Sequence, residues 1–462
     1  PRNFPGRKPV ASVNSFAAGY DAASRELNVR KTAPFSSWLK PPEDLRAWCV
    51  AFKVSAQKAA QKKSPIVKSS GPGYRFSVAK DTTHSVPEAS VIATNYTPSE
   101  AARGVLEMLG DSEGVFDQLE AGSKLPYCRF NLNYDQDDPA EILLPHLSVI
   151  KHLCQILELR VCAELTLGQT DHAFRDSQLM LYLADAFRDE PFVISQLVRA
   201  GCLSLALQSL AQGMPQWSEE QLRTFQARFG RFDFCLDVSR TLKAERVWTT
   251  TIVDYVHGAP NKVNLIENLF NGPQQRDVGL GAILMTVAPG GWFGIEKLNC
   301  SRMIDRYVLP AIDVNARRID PRSVRAAEQE MSRLSGGALS GLVLHHLFFA
   351  SMLLPFGGKV AERTALAQTG ADCARVACAL ELYRRENGRL PETLEALQPR
   401  FISKLPTDII TGQSLKFRPD GKGSYKLYSV GWNEVDDGGL VASTRPGESS
   451  VPPEGDWVWR LP

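Results

Sequence analysis

A chain of 462 residues is too long for one ordinary core, so two or three domains are the expectation. Hydrophobic residues at 44% and charged residues at 23% are those of a globular protein and exclude broad disorder. The 53 basic and 51 acidic residues nearly cancel, which excludes the strong basic field of a nucleic-acid binder and any acidic tail.

Nine cysteines are scattered without a CxxC pair, and the odd count argues against a fully paired disulfide framework. The chain begins at Pro1 rather than Met, which leaves room for a preceding signal or anchor.

Residues 1–96 read as an extended arm with one helix and loops. The helix is "PPEDLRAWCVAFKVSAQKAAQKK", from Pro41, with prolines at its start, acids in its first turn and lysines in its last. "TPSE", Thr97–Glu100, is a capping box and opens a helical-hairpin domain over 97–333. Two amphipathic helices break at Gly168. Leu157, Val161, Leu165 and Leu167 line one, and Ala173, Phe174, Leu179 and Leu183 the other. A further capping box at Ser218–Gln221 opens the second helix of another hairpin, whose turn glycine is Gly213. Residues 256–296, rich in glycine, proline and asparagine, read as a loop-rich insertion. Asp320-Pro321 is a helix start. A charge-free run over 334–358 contains the apolar stretch Leu342–Phe356, which is short for a bilayer span and fits a buried helix better. The strands "SLKFR" and "SYKLYSV" alternate around the turn "PDGKG", a hairpin by turn chemistry.

The glycine, Asp171 and Ala173-Phe174 opening the second helix resemble a tetratricopeptide hairpin. Gly213 follows Gly168 by 45 residues, however, against a repeat of about 34, so the array is irregular. From Leu353-Leu354-Pro355 through Leu382-Tyr383 to Asn387-Gly388, the chain resembles the first helix of type IV pilins and type II secretion pseudopilins. Pro406-Thr407-Asp408, Thr411-Gly412-Gln413 and the paired strands are similar to the pseudopilin β-region. The resemblance covers about 338–462 and implies a small C-terminal pilin-like α/β module over 334–462, with a long helix at about 338–387 and an antiparallel β-region at about 405–462. Ala338 stands where a pilin has its assembly glutamate, and Arg333 where it has its cleavage glycine, so a processed, polymerising pilin is not implied. The marks "LGQTDHAF", "EPFVISQLVRA", "YSVGWNEVDDGG" and "DWVWRLP" resemble those of a group of large, uncharacterised bacterial proteins.

In major pseudopilins the loop after the equivalent strand binds calcium. The resemblance therefore implies a calcium site at Asp436 and Asp437, with Asp456 and Asn433 as further ligands and Glu434 beside them. Calcium takes six to eight oxygens from a flexible loop, and Gly438 and Gly439 allow carbonyls to turn inward. Trp432, Trp457 and Trp459 are candidates for sugar stacking, but at strand spacing they fit better as packing against the long helix.

No HExxH, GxSxG, phosphate-loop or dinucleotide fingerprint is present. "NLNYDQDDPAE" lacks the central glycine of an EF-hand and has Ile142 at its last ligand position. The expected fold is thus mainly α: an irregular helical-hairpin, tetratricopeptide-like domain and a pilin-like module. The expected role is a non-catalytic scaffold or adaptor of a bacterial cell envelope, allied to a secretion or pilus-like system, binding a protein or peptide in its helical groove. Membrane attachment would come from a segment before Pro1 or from residues 338–356. The alternatives are a hydrolase-type enzyme assembled from scattered helix residues and a glycan-binding module using the C-terminal tryptophans.

Overall fold

A computed structural model describes residues 18–27, 43–61, 96–110, 113–134, 138–139, 142–270, 283, 285–335, 346–353, 357–421, 423–441 and 455–459. The described residues are mainly helical, with a small antiparallel sheet near the C-terminus. They fall into two compact units, one within Pro1–Lys31, Pro41–Leu125 and Ile156–Asp176, the other within Thr32–Lys40, Pro126–Gln155 and Ser177–Pro462.

In the first unit, α1 (Ala18–Glu26) packs on α2 (Leu45–Gln61), where Tyr20 stacks on Trp48 with ring centroids 4.9 Å apart. The described part of 1–96 is therefore a packed helical pair rather than an extended arm, because Tyr20, Ala23, Leu45 and Trp48 bury one another's apolar surface. Residues 62–95 lie outside the described residues. The helix expected from Pro41 starts at Leu45. Its acids stand just ahead of it, and Asp44 Oδ1 accepts the N–H groups of Arg46 and Ala47. In α3 (Pro98–Leu109) the capping box closes both ways: Thr97 Oγ1 accepts Glu100 N–H, and Glu100 Oε2 accepts Thr97 N–H. Helix α4 spans Glu113–Ser123.

Helices α5 (Pro145–Thr166) and α6 (Thr170–Asp185) turn at Gly168, whose φ of 71° lies in the left-handed region that a side chain would strain. Leu157, Val161, Leu165, Ala173, Leu179 and Leu183 are buried as their spacing requires, while Leu167 and Phe174 stay partly exposed.

The second unit continues with α7 (Val193–Gly213), α8 (Glu219–Phe229) and α9 (Phe234–Gly258). Gly213 is fixed by close approach: a Cβ there would come within 2.1 Å of the Trp217 ring, whose Nε1 donates to Leu210 O. Within 256–296 the described residues include α10 (Lys262–Phe270) and the start of α11 (Gly290–Met303), which corrects the loop-rich reading. Ile266, Met285 and Phe293 supply the reason: they reach one core cluster with Val253 and Phe349. A π turn at Ile304–Val308 leads to a short ladder, β1 (Ile312–Asp313) with β2 (Arg318–Ile319). Helix α12 (Pro321–Ser335) follows, capped by Asp320.

The helix expected over 338–387 is not continuous through its described part. His346 has φ of 49° and precedes a short α13 (Phe348–Leu353), and the long helix proper is α14 (Gly357–Asn387). Residues 338–345 and 354–356 lie outside the described residues, so most of the 338–356 run is not placed.

Helix α14 packs against α7, α8 and α9 as well as against the sheet. Gln368 accepts Phe234 N–H and donates to Phe232 O, Gln226 donates to Arg375 O, and Arg385 donates to Met214 O and Trp217 O. The long helix is thus the shared core of the second unit, and the compact units do not part at residue 334.

Strands β3 (Lys416–Pro419), β4 (Tyr425–Ser429) and β5 (Trp457–Trp459) form one antiparallel sheet in that order, with Phe417 opposite Leu427 and Leu427 opposite Trp459. Asp408 ties the sheet to the preceding turn, accepting Ser429 Oγ–H and Ile410 N–H.

Candidate functional site

The acidic loop after β4 closes on itself. Asp436 Oδ1 accepts Gly438 N–H at 3.0 Å and the Tyr428 hydroxyl at 3.0 Å, with Arg418 at 3.4 Å. Asn433 donates to Asp437 Oδ2, and Asp456 accepts the N–H groups of Asp437 and Gly439. Glu434 turns away to Arg325 and Arg322 on α12. Desolvation is the largest single influence on Asp436 and opposes its ionisation, but the Gly438 N–H, the Tyr428 hydroxyl, Arg418 and Lys416 together hold its carboxyl below the usual range. Burial pushes Asp456 up, against the two N–H groups it accepts.

Each carboxylate faces an N–H, O–H or cationic donor, and a calcium ion bound here would take the place of contacts such as Arg418 on Asp436. Among the described residues, no group of three or more His, Cys, Asp or Glu side chains is placed to hold a metal. The loop is a hydrogen-bonded clasp joining β4, β5 and α12. A calcium site here would raise the melting temperature in calcium chloride over that in EDTA, and the rise would be lost in an Asp436→Ala/Asp437→Ala variant; equal melting temperatures would leave the loop a clasp alone.

Trp457 and Trp459 are within 1% of fully buried, and Trp432 is 7% exposed. Rings so covered cannot stack on a sugar, which corrects the glycan-binding alternative. They pack β5 and the clasp onto the long helix, as their strand spacing favoured.

One constellation bears on the enzyme alternative. His146 Nε2 lies 2.7 Å from Glu190 Oε1, a close contact without hydrogen-bond alignment. Phe130 stacks on the imidazole at 4.3 Å. The Ser195 hydroxyl donates to Glu190 Oε2 at 2.6 Å, so it leans on the carboxylate and not on the histidine. A nucleophile activated by a base needs the reverse order. All three side chains are buried or nearly so, and their effect is to pin the first turn of α7.

Helix α7 has two faces. Its inner face carries Arg199, fully buried, which donates to Asp237 at 2.7 Å and to Asp185 at 3.1 Å, with its guanidinium over the Phe232 and Phe234 rings. Its other face lines a half-open groove of two lobes. The first, about 390 Å³, is bounded by Ile142, Phe192, Leu242, Trp248, Val308 and Val360 among others. The second, about 400 Å³, runs past Val198, Gly201, Ser204 and Leu207 to Leu366. Leu197 and Val360 line both, so the lobes are neighbours along α7. From Val193 to Leu207 the groove follows about 20 Å of helix. Its walls are mostly apolar, and Ile194, which lines the first lobe, is half-exposed. Glu245 is the acid of the first lobe, raised by burial, and accepts Val193 N–H.

None of the predicted site residues lies in this groove. The signal was present all the same: α7 is apolar on more faces than one core can cover, with a single arginine inside it. Length and composition alone would let Val193–Gly213 cross a membrane, but 56% of its most apolar window is buried.

No family model, curated protein or solved structure matches the chain.

Proposed function

We propose that the chain is a non-catalytic scaffold or adaptor of a bacterial cell envelope, allied to a secretion or pilus-like system, and that it takes a segment of a partner protein in the groove along α7. The observation that carries this reading is the groove itself: two neighbouring, mostly apolar lobes along α7, with half-exposed Ile194 in the first. Apolar grooves of this kind accept the apolar face of an amphipathic segment, and patches rimmed by polar surface mark interaction sites. The hairpins preceding the groove support the tetratricopeptide-like reading, and a long helix carrying an antiparallel sheet supports the pilin-like one. That kinship is the ground for the envelope assignment.

Gly201 offers a clean test. It lines the second lobe, and a Cβ built on it meets nothing within 4 Å, so Gly201→Trp fills the groove without a clash in the core. A peptide-display selection on the immobilised chain should enrich amphipathic sequences, with recovery about tenfold lower on Gly201→Trp. Absence of enrichment, or equal recovery on both proteins, would overturn the groove as the docking site.

A further inference from the structure

The two lobes differ in charge. Among the described residues the first lobe has one charged lining side chain, Glu245, whose carboxylate accepts a backbone N–H. The described lining of the second includes three cations, Lys151 from α5 and Lys359 and Arg363 from α14, and no carboxylate. Lys151 and Lys359 are exposed, while Arg363 is half-buried. Beside them on α14, burial pushes the Glu362 carboxyl up to about 7, with Arg363 opposing the rise.

From this asymmetry we infer that the docked segment is acidic as well as amphipathic: its apolar residues fill both lobes, and aspartate or glutamate side chains at one end meet Lys151, Lys359 and Arg363. The inference rests on the proposed docking function and specifies its partner. Charge complementarity sets the direction in which the segment lies, since the acidic end belongs in the second lobe and is repelled by Glu245 in the first. A protein segment is favoured over a small anionic lipid because the groove is half-open along its length. Sites for small ligands enclose most of the ligand's surface, whereas an open trough leaves one side of its occupant to solvent.

Two synthetic helical peptides with the same Leu/Phe stripe at i, i+3, i+4 and i+7, one ending in glutamates and its twin in lysines, separate the possibilities by fluorescence anisotropy. The acidic peptide should bind at least about tenfold more tightly than its twin. Its advantage should shrink between about 0.1 M and 0.5 M salt, and should vanish in Lys151→Glu/Lys359→Glu. These are exposed positions whose exchange leaves the core untouched, and circular dichroism checks that the variant folds. Gly201→Trp should weaken both peptides. If the twins bind equally and both are displaced by Gly201→Trp, the groove stands and the acidic inference falls. If neither binds, the docking function falls with it. Binding of laurate with no binding of either peptide would reassign the lobe to a fatty-acid carboxylate and overturn the protein partner.

Discussion

Replacing Arg160 with methionine is expected to destabilise the first unit by about 3–5 kcal/mol, the usual cost of removing one member of a buried ion cluster. Arg160 lies on α5 with 2% of its side chain exposed. Its Nε donates to Asp176 Oδ2 at 2.6 Å, its Nη1 to Glu113 Oε1 at 2.6 Å, and its Nη2 lies 3.6 Å from Glu164. Phe116 lies under the guanidinium at 4.5 Å. Asp176 is fully buried and Glu164 nearly so. Burial, and then Asp176, already push Glu164 up to about 8 against Arg160 and Arg175. Without the arginine, Asp176 and Glu164 would have to take up protons or draw in water. The effect should therefore be largest above pH 8 and smaller near pH 5, where protonation supplies what the arginine did. Urea unfolding, with hydrogen exchange read in α3 and α5, measures it. Arg160→Met/Asp176→Asn should recover part of the loss, because the second change removes the charge the first one strands. A single variant as stable as the parent across that pH range would refute the account.

Local chemistry was readable where it is self-contained. The capping boxes at Thr97 and Ser218, the turn at Gly168 and the β3–β4 hairpin need only neighbours within a few residues, and each forms as its sequence dictates. The glycine-rich stretch around α10 and α11 misled for the complementary reason. Its turn-forming composition is outweighed by Ile266, Met285 and Phe293, whose partners are remote in sequence. The acidic loop was legible only in its composition. Asp436, Asp437 and Asn433 have the oxygen content of a calcium loop, but the donors that satisfy them come from Tyr428, Arg418 and the loop's own backbone. Oxygen content cannot show which donors fold back. The groove was hidden because its walls come from α7, α9 and α14, and α14 lies more than 140 residues beyond the end of α7 in the chain. The mark "EPFVISQLVRA" turns out to contain both halves of α7's task. Glu190, Ser195 and Arg199 anchor the helix, and Phe192, Val193, Ile194 and Leu197 face the groove.

Glu296 should make the second unit less stable as pH rises. It projects from α11 into an apolar cluster containing Phe293, Cys300, Phe348 and Phe349, and is 1% exposed. Its two oxygens accept the N–H groups of Phe348 and Phe349, at 2.9 and 3.1 Å, and so cap α13. Burial pushes its carboxyl from 4.5 up to about 7, and the two N–H groups moderate the rise without cancelling it. The folded chain therefore holds this proton more tightly than the unfolded chain does. Its stabilising contribution is complete below about pH 4.5 and is lost as pH climbs through 7, a change of about 3 kcal/mol. Glu164 and Glu362, pushed to about 8 and 7, slope the same way and steepen the trend of the whole chain. Glu296→Gln isolates one share. The amide cannot ionise but keeps one acceptor oxygen for α13, so the variant should lose about 1 kcal/mol at pH 5 for the second N–H, and should then fall less steeply than the parent up to pH 8. Urea midpoints measured at pH 5, 6, 7 and 8 for both proteins decide it. Parallel curves would mean that Glu296 does not change its proton over this range, and that the cap on α13 works as a carboxylate throughout.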